Sequence, residues 1–415
     1  MKAPDMPTKR LPQWEFVCLI AMLFAMIAFS IDAMLPGLPT MGQDLTPEAP
    51  NRIMFVVIIF VIGMGIGTFL TGALSDAFGR RPVILGGIGI YFAGSIMAYF
   101  SASLEVLLLA RLLQGFGVAG PRVATLALVR DQFEGPQMAK IMSIAMTVFM
   151  LVPAVAPLVG QFVIEGLGWR SLFAVFALFA LTVGTWMALR QPETLTPENT
   201  RKLGFGTYFS AIKEMMSNRI VVISMAVQTL VMGFLFSCIS SVQPIFEMTY
   251  DKAESFPRWF FLIALISSTS NVLNAKFVVH LGMRKMIMRA LLAQLAFTSV
   301  VLFIVFTATL PFWLYFLWTA SCFLILGFLM GNLTTLALEP MGHIAGITSS
   351  IVAGVSTVAA GFIGIPATQM FDGTPRALAV TVFCCVITSV ALMIYLGPRP
   401  VDDPLGTQLK PRKQA

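Results

Sequence analysis

Three charged side chains stand where the surrounding sequence is almost pure hydrocarbon: Asp32, Arg111 and Arg122. Asp32 is the one carboxylate expected well inside an apolar run. Burying it charged is expensive, so such an acid usually faces a cavity or a partner and often carries protons. A plainer reading puts Asp32 at the water boundary, where it ends its helix ahead of Pro36. Arg111 is its natural partner, because helical rise places it about 10 Å below the start of its own run, a depth comparable with that of Asp32. A guanidinium keeps its proton, so it would hold a neighbouring carboxylate charged until substrate or a conformational change separates them. The same pair would also serve as a simple latch between helices. Arg122 lies on the same stripe about three turns further on. It either binds substrate or pairs with polar groups across the bundle.

Arg111, Gln114, Gly115, Val118 and Arg122 recur at helical spacing and share a face. Glycines on or beside that face let another backbone approach, as small residues do in membrane bundles. Candidates for lining a substrate cavity are Arg122, Gln114, Phe24, Phe29, Gln243 and Asn271. Neutral amides orient a ligand and large apolar side chains adapt to its shape, although ordinary helix packing is the better reading for any single one. A further group reads as moving parts. Gly72, Asp76, Gly79, Arg80 and Arg81 crowd into one short loop, with Pro82 suited to the first turn of the next helix. Asp76 is expected to reach the positive end of a helix beginning near Ala345, closing a gate. Pro153 and Pro157, with Gly160 close behind, must kink a helix or free its carbonyls.

The elements that position these residues follow from composition. The chain has 415 residues, 57% hydrophobic and 11% charged, with a mean hydropathy of +0.86. That identifies a polytopic membrane protein. Apolar stretches are expected at 14–35, 52–74, 82–101, 104–129, 140–163, 169–189, 219–245, 258–280, 286–308, 310–334, 345–366 and 376–396, each long enough to span hydrocarbon. The first is too long for a signal-peptide core and is read as a retained spanning helix. The net charge of +7 gives no nucleic-acid patch, because the basic residues lie in short loops. Of the 27 Lys and Arg, only Arg52, Arg170, Lys252, Arg258 and Arg376 fall on one side, and Arg111 and Arg122 lie within a run. The remainder fall on the other side with both termini, which the positive-inside rule makes cytoplasmic.

The polar interval 190–218 reads as a cytoplasmic linker between a six-helix half at 1–189 and another at 219–396, followed by a cytoplasmic tail at 397–415. A degenerate repeat supports two halves. Gly79-Arg80-Arg81 recurs as Gly282-Met283-Arg284-Lys285, and Asp32 to Pro36 aligns with Ser240 to Pro244. The five cysteines lie in apolar segments without metal spacing, and His280 and His343 stand far apart, so neither metal nor cofactor is expected. Paired acids, a histidine cluster and a nucleophile constellation are all missing from the sequence, which argues against an integral-membrane enzyme.

The loop pattern G-x-L-S-D-x-x-G-R-R-P-V resembles that between helices two and three of the major facilitator superfamily of secondary transporters. Arg111-Leu-Leu-Gln114-Gly115-Phe-Gly117 resembles that superfamily's helix-four motif associated with proton coupling. Pro153 to Gly160 resembles the helix-five element of its drug/proton antiporters, with Gln161 where a second glycine is common. Asp32 to Pro36 with Pro39, Val129 to Gly135, and Gly342 to Ser350 together are similar to the bicyclomycin-resistance (Bcr/CflA-type) multidrug exporters. The resemblance implies an all-α fold of twelve transmembrane helices in two pseudo-symmetric halves in a bacterial inner membrane. It further implies a monomer that exports small amphipathic compounds in exchange for protons, with Asp32 and Arg111 as the coupling pair. A carrier of a small anionic metabolite is the alternative, which Arg111 and Arg122 would suit.

Overall fold

The computed structural model describes residues 11–196 and 205–397. Within them the chain is all-helical. The long helices are α1 (Gln13–Asp32), α3 (Phe55–Phe78), α4 (Arg80–Tyr99), α5 (Leu104–Gln132), α6 (Gly135–Leu167), α7 (Trp169–Arg190), α9 (Arg219–Met248), α10 (Phe256–Leu281), α11 (Met283–Thr307), α12 (Phe312–Leu338), α13 (Ala345–Gln369) and α14 (Arg376–Leu396). Two short helices, α2 (Leu38–Leu45) and α8 (Phe205–Ser217), complete the set. Among the described residues, ten segments are long and apolar enough to cross a membrane. One of these, Phe312–Gln369, contains both α12 and α13, and α6 adds the shorter apolar helix Leu151–Leu167. Each long helix falls within a few residues of an expected stretch, because 3.6-residue hydrogen bonding is the only way a lone segment satisfies its backbone in hydrocarbon.

Glycines set the spacing. Methyl groups at Gly63 and Gly67 of α3 would collide with the α5 backbone at Leu112 and Phe116, and one at Gly115 of α5 would overlap the Phe60 carbonyl. The helices α3, α4 and α5 therefore form a slab with backbone-to-backbone contact. Gly160 plays the same part between α6 and the end of α1, lying against the Ala33 carbonyl. Pro153 and Pro157 sit inside α6 without ending it. The helices α1–α7 pack chiefly on one another, as do α9–α14, and the two groups meet where α3 crosses α13 and α6 crosses α10. The repeat noted in the sequence has a structural counterpart: Gly79 (φ 105°) and Gly282 (φ 74°) both make the left-handed turn between successive helices.

The two ends of the bundle differ. At one end Asn51 Nδ2 donates to the Phe371 carbonyl (2.8 Å) and the Gln369 carbonyl (3.3 Å), while Gln369 Nε2 donates back to the Asn51 carbonyl (3.1 Å). These bonds join the start of α3 to the end of α13. The opposite end carries the Gly79 turn, Arg80 and Arg81. There α8 packs beneath α9 and α13, and His343 lies 2.9 Å from Glu214. The interval 190–218, read as linker, thus contains a helix in its described part, and Asn218 caps α9 by accepting from the Ile220 and Val221 amides.

The α1–α6 contact can be tested against a control in the same helix. Gly160→Ala is expected to cost roughly 1–3 kcal/mol through overpacking. Gly166, with nothing within 4 Å of an added Cβ, should tolerate Ala or gain a few tenths of a kcal/mol in helix propensity. Thermal unfolding of the two purified variants measures the difference; equal midpoints would refute the close contact.

Candidate functional site

Arg111 is completely buried, and each of its three guanidinium nitrogens donates a hydrogen bond. Nε donates to the Val56 carbonyl of α3 (3.1 Å), Nη2 to the Ser30 carbonyl of α1 (3.1 Å) and Nη1 to Gln114 Oε1 (2.9 Å). The cation also lies 4.3 Å from the centre of the Phe60 ring. Gln114 Nε2 passes the network to Ser95 Oγ (2.7 Å), which donates to the Tyr91 carbonyl (2.9 Å). The Tyr91 hydroxyl meets Ser30 Oγ at 2.5 Å. One arginine therefore ties α1, α3, α4 and α5 together through a closed polar circuit. Only arginine has the planar fork for three divergent acceptors.

Asp32 is not in that circuit. The sequence points to an Asp32–Arg111 pair; in this structure the guanidinium is taken by main-chain carbonyls and Gln114 instead. Asp32 is 5% exposed and has no hydrogen bond or ion pair with any described residue. Its frame is nevertheless rigid. The carbonyl two residues before it is held by Arg111, and the carbonyl one residue after it lies against Gly160. The chain beyond does not open to water, because Ala33, Met34 and Leu35 are all buried. Glu15, at the other end of α1, supplies the contrast. It is also buried, yet it accepts from Arg190 Nε (2.8 Å) and Nη2 (2.7 Å) and from Trp186 Nε1 (3.1 Å). Glu15 straps α1 to α7, whereas Asp32 has no partner among the described residues.

The remaining expected residues divide. Arg122, half-buried, has among the described residues one hydrogen bond, to Met64 Sδ at 3.6 Å, and no ion pair with a carboxylate. Gln114 belongs to the Arg111 circuit and is fully buried, so it is a positioning residue and not a cavity wall. Phe29 packs edge-on against Phe176 and Phe179 of α7, and Phe24 is buried in the core, so both stabilise helix packing. Gln243 lies towards the Asn51 end, in a cleft beside Glu247. Asn271 is exposed on α10, next to Gly327 of α12. Gln114, Phe24 and Phe29 are thus packed inside the bundle, because helical spacing gives a stripe but not the neighbour it faces.

At the Arg80 end, Asp76 Oδ1 pairs with Arg80 Nη1 (2.5 Å), and Arg80 Nε pairs with Asp131 (3.0 Å). Asp76 thus spends its hydrogen bond on Arg80 in this state, not on the start of α13. Arg81 Nη2 donates to the Ala188 carbonyl (2.6 Å). Glu193 carries the part that spacing alone does not reveal: its carboxylate accepts from the Arg80 and Arg81 amides (3.0 Å each), capping α4. A side chain at Gly79 would strike it. Gly72 lies one helical turn before Asp76 on α3.

A bundle of ten segments long and apolar enough to cross a membrane, among the described residues, is that of a multi-pass membrane protein. The model of the Major Facilitator Superfamily matches residues 18–365, and the chain belongs to that superfamily. It is 26% identical over 385 residues to a bicyclomycin resistance protein homolog of Haemophilus influenzae, covering 92% of this chain and 96% of the relative. It is 27% identical to the multidrug resistance protein MdtL of Salmonella agona (89% and 91% covered). A chloramphenicol resistance protein of Pseudomonas aeruginosa is also 27% identical (91% and 88%). Among solved structures, a D-xylose-proton symporter superposes with a TM-score of 0.75 over 92% of this chain and 97% of its own at 15% identity, a likeness of fold alone. The inward-open xylose transporter XylE of E. coli gives 0.72 over 93% and 100%, also at 15% identity.

Stability separates the two charged residues. Arg111→Lys strands at least one buried acceptor and should cost about 1–3 kcal/mol, whereas Asp32→Asn breaks no hydrogen bond and should be close to neutral. Unfolding midpoints of purified protein check this. A comparable loss for Asp32→Asn would mean that its carboxylate has a partner after all.

Proposed function

We propose that this chain is a secondary active exporter, driven by protons, of small amphipathic compounds. The observation that carries the reading is Asp32: a buried carboxylate without a partner among the described residues, set in a frame fixed on both sides. An intramembrane acid in such a position is a common carrier of protons. The Arg111 circuit holds the α1 backbone so that a change at Asp32 is felt by α3, α4 and α5 together. The names of the relatives, resistance proteins for bicyclomycin, chloramphenicol and multiple drugs, favour export of drug-like compounds.

In this reading the chain crosses a bacterial inner membrane twelve times, with α1–α7 and α9–α14 as two pseudo-symmetric halves and α8 in the linker. The Arg80 end and both termini lie in the cytoplasm. Asp32 takes a proton when the site opens outward and loses it when the halves rock to face inward. Protonation and substrate occupancy bias the same switch in opposite senses, which couples them. Asp76, Arg80, Asp131 and Glu193 form the cytoplasmic gate, and Pro153, Pro157 and Gly160 its α6 hinge. No cofactor is required, and one chain suffices.

A second reading rests on Arg122. Among the described residues its guanidinium has only a sulfur as hydrogen-bonding neighbour, which suits a carrier of a small anion. Expression in a pump-deficient bacterium, with efflux followed in cells and inverted vesicles, separates the two. Wild-type protein should confer resistance to several compounds. Asp32→Asn should bind them yet fail to move them against a gradient, a loss of at least about tenfold in the accumulation ratio. Arg122→Ala should impair some compounds and spare others. Full pumping by Asp32→Asn would remove the coupling site, and uniform loss in Arg122→Ala with demonstrated anion binding would favour the metabolite carrier.

A further inference from the structure

A cleft of about 430 Å³ opens at the Asn51 end, between the α1–α3 region and α9. Pro39 and Met54 contribute to one wall and Met248 and Phe371 to the other. Two features of its polar floor have no structural explanation. Glu247 lines the cleft, half-buried, and is bound by Gln243 Nε2 at 3.1 Å, but it has no cation within salt-bridge distance among the described residues. Gln243 is 2% exposed, and its Oε1 has no donor. The lining holds no lysine or arginine that could satisfy either group. The charges nearby in sequence are engaged elsewhere, with Arg52 on Glu105 and Lys252 over the Phe312 ring.

The same face of α9 continues inward. Ser240, Gln243 and Glu247 recur at helical spacing, and the Ser240 and Ser241 hydroxyls are also buried without partners. Of these groups Gln243 and Glu247 line the cleft, so an acceptor without a donor among the described residues stands one helical turn inside a carboxylate. A ligand that satisfies Gln243 Oε1 and Glu247 must bring an N–H donor and a positive charge, and the proline, methionine and phenylalanine walls suit an apolar body. The volume is that of a drug-sized molecule.

We propose that this cleft is a binding site for amphipathic organic cations that carry N–H donors, with Glu247 as the counter-charge and Gln243 Oε1 as the orienting acceptor. Its use as the station from which a compound leaves the protein rests on the export reading above; its occupancy does not. Glu247 would then select cations over anions at the mouth.

Photolabelling tests this. The full-length chain in lipid nanodiscs is incubated with ethidium monoazide without any proton gradient, irradiated, digested and mapped. The expected label falls on residues 38–54 or 243–248, drops about fivefold in Glu247→Gln, and persists in Glu247→Asp, which keeps the charge. Label confined to other segments, or equal label in wild type and Glu247→Gln, overturns the proposal. Because no transport is involved, an unlabelled cleft leaves the export reading untouched, and failure of the Asp32 test leaves the cleft untouched.

Discussion

Removing a charged group from water without a partner costs several kcal/mol even after the protein relaxes. The interior of this bundle is arranged around that cost. Arg111 meets it with three hydrogen bonds and an aromatic face; Glu15 meets it with a two-pronged arginine and an indole. Asp32 does not meet it at all. A partner for Asp32 would fix it in one charge state and make it a strap like Glu15. Without one it is not such a strap.

The bare carboxylate depends on how closely the helices approach. Arg111 reaches carbonyls on α1 and α3 because Gly63, Gly67 and Gly115 bring α3 and α5 into backbone contact. Gly160 brings α6 onto the carbonyl that follows Asp32 in the same way. A side chain at any of these positions would widen the spacing and give Asp32 room to turn or water to reach it. The hydrogen bonds that close the Asn51 end and the acid–base cluster at the Arg80 end lie away from this centre. They fasten the ends of the bundle while the charge balance is set in its middle.

Much of this was legible from the sequence, and what was not has a physical cause. Unbroken apolar runs mark the long helices, and the glycine-rich stretch after Arg111 marks a tight crossing. The pairing of Asp32 with Arg111 was the natural reading because opposite charges are visible in a sequence. The actual partners, the carbonyls of Ser30 and Val56, are main-chain groups that any residue type could supply. Phe29 and Gln114 read as cavity residues because spacing identifies a shared stripe without naming the helix opposite. The helices α2 and α8 were missed because they are too short to show as spans. Glu193 and Glu247 lie at helix ends, where an acid usually means only water; neither their spacing nor their neighbours in sequence indicate a cap or a cleft.

The central claim is that Asp32 changes its protonation state within the bundle and that substrate alters that state. Infrared difference spectroscopy of the reconstituted protein, stepped through pH, observes the carbonyl band of a protonated carboxyl directly. The account predicts a band present in wild type, absent in Asp32→Asn, and changed in amplitude when an exported compound is added. A spectrum identical in wild type and Asp32→Asn would contradict it.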